Sequence, residues 1–213
     1  MQSRHLFCLL CFMVCAQLSS AQITQINPYY GITLPMPLRT YYGEFNTDGG
    51  NNFGLNVSFG HWTSQEDFTR NLFIELQYNY HKTPLTYYSY YQNILPEQLG
   101  DLKMHNALLG VIKGAGNEIF EGYAGVYGGV TIFDVEDPEA FDYTRFTVAA
   151  GVGLKYYPTL SFGIRFHTQL NLPMWASSTY MGWSGGETGT ISSIMTPYMN
   201  FNLGIFANID RTY

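Results

Sequence analysis

Residues 144–170 read TRFTVAAGVGLKYYPTLSFGIRFHTQL, and their alternation decides the fold. Phe146, Val148, Ala150, Val152, Leu154 and Tyr156 take every second position, with Arg145, Thr147, Ala149, Gly151, Gly153 and Lys155 between them. After Pro158-Thr159 the pattern resumes. Leu160, Phe162, Ile164 and Phe166 alternate with Ser161, Gly163, Arg165, His167 and Gln169. A β-strand sends successive side chains to opposite faces, so the stretch predicts a hairpin with one apolar face. The other face mixes glycine with isolated charges, as a packed barrel interior does.

The same period recurs on both sides of this hairpin. It predicts strands over 40–46, 52–62, 71–81, 102–114, 118–132 and 194–209, making eight with the hairpin itself. The clearest is 52–62, where Phe53, Leu55, Val57 and Phe59 oppose Asn52, Gly54, Asn56, Ser58 and Gly60. The first, 40–46, is short for a bilayer crossing, which takes about 9–11 residues. Residues 22–39 carry Pro28, Pro35 and Pro37 and are expected to be irregular. Connections alternate between short (63–70, 115–117, 158–159) and long (82–101, 133–143, 171–193). Short turns at one end and long loops at the other characterise an up-and-down transmembrane barrel, and an even strand count puts both termini at the short-turn end.

Residues 1–21 are set apart. Arg4 precedes an apolar core over 6–16, and Ser19-Ser20-Ala21 ends the stretch in small residues, the layout of a cleaved signal peptide. All three cysteines, Cys8, Cys11 and Cys15, fall inside it, so the mature chain cannot be a disulfide scaffold. Val14 before Cys15 disfavours a lipid-modified cysteine. Charged residues are 12% of the chain, about half the share of a soluble domain. No apolar run is long enough for a membrane helix. A net charge of −6 with 10 basic residues argues against a nucleic-acid partner. The expected organisation is a signal peptide (1–21), an irregular segment (22–39) and one all-β, eight-stranded antiparallel barrel in the outer membrane (40–213). A soluble lipocalin-like carrier is the rival at the level of fold. It would turn Phe53, Leu55, Val57 and Phe59 inward.

The succession VYGGVTIF, an acidic loop, RFTVAAGVGLKYYPTLSFGIRFHTQLNLP, a Gly-rich loop and NFNLGIFANI resembles the small outer-membrane barrels of Gram-negative bacteria, the OmpX- and OmpA-like proteins. The likeness extends over 40–209. It implies a closed barrel with outer-membrane lipid around it; the role expected for this chain is non-enzymatic, structural or adhesive, through its long outer loops. The chain departs from the family by running on through Asp210-Arg211-Thr212 to Tyr213, where a terminal aromatic usually closes the last strand.

Strand parity assigns Glu44, Glu75, Lys103, Lys113, Glu121, Arg145, Lys155 and Arg165 to the lumen. An eight-stranded lumen is just wide enough for side chains to fill, so these charges are expected to pair and plug it; a narrow channel is the alternative. Loop residues Tyr87, Tyr88, Tyr90, Tyr91, Trp175, Tyr180 and Trp183 form a candidate recognition surface for another envelope protein or an extracellular ligand. Some rings are expected instead to sit at headgroup depth as an aromatic girdle. His81 with Ser89 or Glu97 is the one arrangement that would suit a lipid-modifying enzyme. No spacing identifies a nucleophile and its base, a metal-ligand set or a cofactor site.

Overall fold

The structure is a computed structural model that describes residues 23–34, 38–39, 43–47, 49–61, 71–89, 97–117, 119–135, 143–159, 161–174, 179–181, 188–190 and 197–210. Its strands are β1 (Ile23–Leu34), β2 (Leu38–Arg39), β3 (Gly43–Thr47), β4 (Gly50–His61), β5 (Leu72–Ser89), β6 (Glu97–Gly116), β7 (Phe120–Val135), β8 (Tyr143–Tyr156), β9 (Phe162–Met174), β10 (Thr179–Met181), β11 (Thr188–Thr190) and β12 (Tyr198–Asp210). Eight of them make the wall in the order β1-β4-β5-β6-β7-β8-β9-β12, every neighbour antiparallel. The ring closes where β12 pairs with β1, from Ile23↔Asp210 to Leu34↔Met199. Both ends of the chain's wall therefore lie at one end of the barrel, the terminal end; the long loops lie at the distal end.

The side chains are distributed inside out. Phe53, Val126, Phe146, Val152, Leu154, Phe162, Ile164, Leu203 and Ile205 face outward and are exposed, while Asn52, Asn56, Glu75, Lys155, Arg165 and His167 are buried in the lumen. The parity expected for 144–170 is the one observed. Glycines on the inner face make room for the large residues of the next strand. A Cβ on Gly151 would stand 2.5 Å from His167 Cε1. Gly151→Leu is accordingly expected to cost about 1–3 kcal/mol through overpacking, read from urea titration of the folded barrel in detergent.

Three expectations are corrected. Within the segment expected to be irregular, Ile23–Leu34 forms β1, and it, not 40–46, is the first wall strand, with Gln25, Asn27, Tyr29 and Thr33 inward and Tyr30, Ile32 and Leu34 outward. Pro28 is tolerated because its missing N–H falls at a gap in the ladder. The β1–β12 pairing steps from Ile26↔Ala207 to Tyr29↔Gly204 and skips the two residues between. Glu44 lies instead in β3, beside the distal part of β5 (Glu44↔Tyr88) and outside the ring; its side chain is outside the described residues.

The second correction concerns β6. Leu102, Met104, Leu108 and Ile112 point inward and are buried, so Lys103 and Lys113 point outward, not into the lumen. This strand is apolar on both faces, and packing against Phe73, Tyr123 and Tyr127 decides which one turns in. Third, much of 82–101 is strand. β5 and β6 run on to Ser89 and from Glu97, a hairpin that stands beyond the end of β4.

Candidate functional site

The lumen is the candidate site, and it is built in tiers. Towards the terminal end lie Phe73 and Phe206, the latter edge-on to Tyr157 at 4.9 Å. Lys155 Nζ sits 4.8 Å above the Phe73 ring, donates to Gln25 Oε1 at 2.9 Å and lies 3.6 Å from Glu121. Tyr157, in the turn after β8, donates its hydroxyl to Glu121 at 2.9 Å. Burial, reinforced by the Glu121 carboxylate, holds that phenol well above its ordinary range.

The middle tier is a fork-to-fork ion pair. Arg165 Nη1 and Nη2 donate to Glu75 Oε2 and Oε1 at 2.5 and 2.9 Å, and both side chains are essentially without solvent exposure. Three further hydrogen bonds and a ring hold the pair. Arg165 Nε donates to the Tyr123 hydroxyl at 2.5 Å, Ser58 donates to Glu75 Oε2 at 2.6 Å and Tyr127 to Oε1 at 2.9 Å. The guanidinium also lies 4.5 Å from the Tyr123 ring centre. A buried charge pair is stable only with such geometry and such secondary partners. The strands β4, β5, β7 and β9 are thereby tied together across the barrel axis.

Above the pair, towards the distal end and below Arg145 at the rim, the described inward side chains are hydroxyls, amides and imidazoles. Tyr123 meets His167 Nδ1 at 2.9 Å, His167 Nε2 meets Gln169 Oε1 at 3.0 Å, and Gln77 donates to the same oxygen at 2.8 Å. Asn79 and Gln77 donate to the Tyr29 hydroxyl, and Asn52–Thr33–Asn200 and Tyr198–Asn106–Thr131–Thr147 form further chains. Among the described residues several buried amide atoms have no protein partner: Asn27 Oδ1, both amide atoms of Asn56 and of Asn202, Gln77 Oε1 and Asn79 Oδ1. Buried amides of this kind call for water.

Of the charges assigned to the lumen from the sequence, the structure brings together Glu75, Glu121, Lys155 and Arg165. Arg145 has inward parity at the distal rim and is half-buried. Tyr123, Tyr127 and His167 were visible as inward residues, but nothing in their spacing marked them as partners of one ion pair. Gln25 and Tyr29 were missed with β1. His81 is buried, 3.2 Å from the Asn51 carbonyl oxygen. Ser89 lies eight positions further along β5, about 26 Å away at strand rise, and Glu97 pairs with Tyr87, so the three do not meet. Among the described residues no group of three or more His, Cys, Asp or Glu side chains is placed to hold a metal. Of the loop aromatics, Tyr87 and Tyr88 continue β5 opposite Phe45 and Glu44, and Tyr180 pairs with Gly189 in the β10–β11 hairpin. Their side chains, and Tyr90, Tyr91, Trp175 and Trp183, are outside the described residues, as are 1–22 and the acidic residues 136–142.

No protein-family model matches the chain, and no curated protein matches it in sequence. Solved structures do match in fold. The outer membrane protein OprG from Pseudomonas aeruginosa superposes with a TM-score of 0.64 at 14% identity, covering 89% of this chain and 97% of that one. Neisserial surface protein A superposes with a TM-score of 0.53 at 10% identity, covering 88% and 97%. At such identities the likeness speaks for architecture alone. The chain has the closed, eight-stranded antiparallel barrel fold of small outer-membrane proteins.

Proposed function

We propose that the protein is a non-enzymatic outer-membrane barrel, exported with its first 21 residues as a cleaved signal, whose lumen is a structural plug and whose distal loops meet the environment or another envelope protein. One observation carries the plug: the Arg165–Glu75 pair with Tyr123, Tyr127 and Ser58 reaches across the axis and leaves neither charge exposed. The terminal end is the periplasmic one on this reading. Lys103 and Lys113 support the membrane setting. They are ten residues apart on the outward face of β6, which is about 33 Å along a strand and about 25 Å along the axis at a tilt near 40°, the height of a barrel's apolar band. Each ammonium then reaches a headgroup layer while its stem lies on the wall. Outward near the distal end the Tyr80 and His105 rings lie 4.9 Å apart, and Phe120 stacks on Tyr156 at 5.0 Å near the other. These suit two aromatic girdles.

In planar bilayers the purified protein is expected to give no discrete conductance steps at neutral pH. Reproducible single-channel steps would overturn the plug. The second reading, a narrow path for small neutral solutes or water, is favoured by the unpartnered amides of Asn27, Asn56 and Asn202. Swelling of proteoliposomes in a small neutral osmolyte without ion conductance would single it out.

A further inference from the structure

The outer wall is not evenly filled. Between β6 and β12 it carries a concavity of about 600 Å³ whose floor is Ala124 and Ala150 and whose sides are Val126 and Val152; it runs from Lys113 at one end to Met199 at the other. The register explains its course. Lys113 pairs with Ala124 and Ala124 with Val152; two residues nearer the distal end, Ala150 pairs with Leu170 and Leu170 with Met199, so the groove crosses five adjacent strands obliquely to the barrel axis. Four interstrand spacings and that two-residue step make it about 20 Å long. With strands tilted near 40°, it climbs about 17 Å along the axis, comparable with one leaflet of a hydrocarbon core about 30 Å thick. On β1, β4 and β5 the outward positions carry Tyr30, Ile32, Phe53, Leu55, Leu76 and Tyr78.

We infer that this groove seats one acyl chain of a glycerophospholipid from the periplasmic leaflet, its phosphate held at Lys113. Two features select that occupant. Apart from Lys113 at its mouth and Thr168 along its course the lining is apolar, which suits a hydrocarbon chain and offers little to a polar solute. The single cation stands at the groove's mouth near the periplasmic end of β6, at the depth of anionic headgroups. A chain entering beside Lys113 and following Ala124 and Ala150 ends near the bilayer midplane, so head and tail both find matching surroundings.

The inference rests on the membrane reading of the wall. The test is native mass spectrometry of the detergent-released barrel after incubation with palmitoyl-oleoyl phosphatidylglycerol or with the phosphatidylcholine of the same chains. One retained phosphatidylglycerol per barrel is expected, preferred about fivefold over phosphatidylcholine. Ala124→Phe/Ala150→Phe fills the groove from the lipid side and is expected to abolish retention of both lipids while the barrel stays folded, judged by heat-dependent gel mobility. The milder Ala150→Leu serves if the double variant misfolds. Lys113→Gln is expected to keep the chain and lose the headgroup preference. Equal retention by wild type and groove-filled variants would overturn the site. So would a wild-type dimer that the filled variants split, since the occupant would then be a second copy. A protein that stays monomeric and dissolved without detergent would sink the membrane reading itself; one that needs detergent yet holds no lipid sinks only this site.

Discussion

Arg165→Met is expected to destabilise the barrel by about 3–5 kcal/mol, the largest loss from any single lumen substitution, because it strands a buried carboxylate. Glu75 has no solvent to turn to, and its remaining partners, Ser58 and Tyr127, are neutral hydroxyls. The Tyr123 hydroxyl loses its Arg165 donor in the same step. The double variant Glu75→Gln/Arg165→Met removes both charges and leaves an amide for the two hydroxyls to engage. It is expected to recover most of the loss, since replacing a whole buried pair is often close to neutral. Reversible urea unfolding in detergent, followed by tryptophan fluorescence and gel mobility, measures both. An Arg165→Met barrel as stable as the wild type would mean that Glu75 is hydrated, and the lumen would then have to be open at that level.

Leu203→Arg is expected to cost about 2–4 kcal/mol in a bilayer, and Ile209→Arg at the terminal end only about 0–1. Both side chains are outward on β12 and well exposed, and they differ chiefly in depth. Leu203 pairs with Tyr30 on one side and Phe166 on the other, in the middle of the wall, whereas Ile209 is one residue from the end of the strand. The gradient between them separates two surroundings. In acyl chains the guanidinium must drag water or headgroups to mid-depth; in water it is free at both positions. Equal, near-zero costs measured by refolding into liposomes of defined thickness would show that this apolar wall is covered by something other than lipid.

How far the fold was legible depended on whether the pattern was local. In β8 and β9 one face is aliphatic and the other holds Gly, Arg, Lys and His, so a two-residue period assigns every side chain without knowledge of its neighbours. In β6 the rule failed. Leu102, Leu108 and Ile112 compete with Leu109 and Val111 for the interior, and a rule that puts charge inside breaks the tie the wrong way for Lys103 and Lys113. Long cationic side chains at the two ends of an outward face escape that rule, because on the proposed membrane reading they stand at headgroup depth. In β1 the three prolines masked an alternation that was present. Pro35 and Pro37 lie past its end, and Pro28 sits at a ladder gap that only the partner strand reveals.

The candidate site followed the same division. Alternation was enough to send Glu75, Lys155 and Arg165 to one side of the wall, because the face a strand residue occupies is a property of its own position. Nothing local says that Arg165 meets Glu75, ninety positions earlier, since that contact is set by ring closure, shear and the pairing of strands far apart in the chain. By itself, then, the amino-acid order determined an all-β barrel with an apolar exterior and charges within. Only the tertiary structure decided which segment closes the ring, which face of β6 turns inward and which charges meet across the axis, because each is settled by partners and not by period.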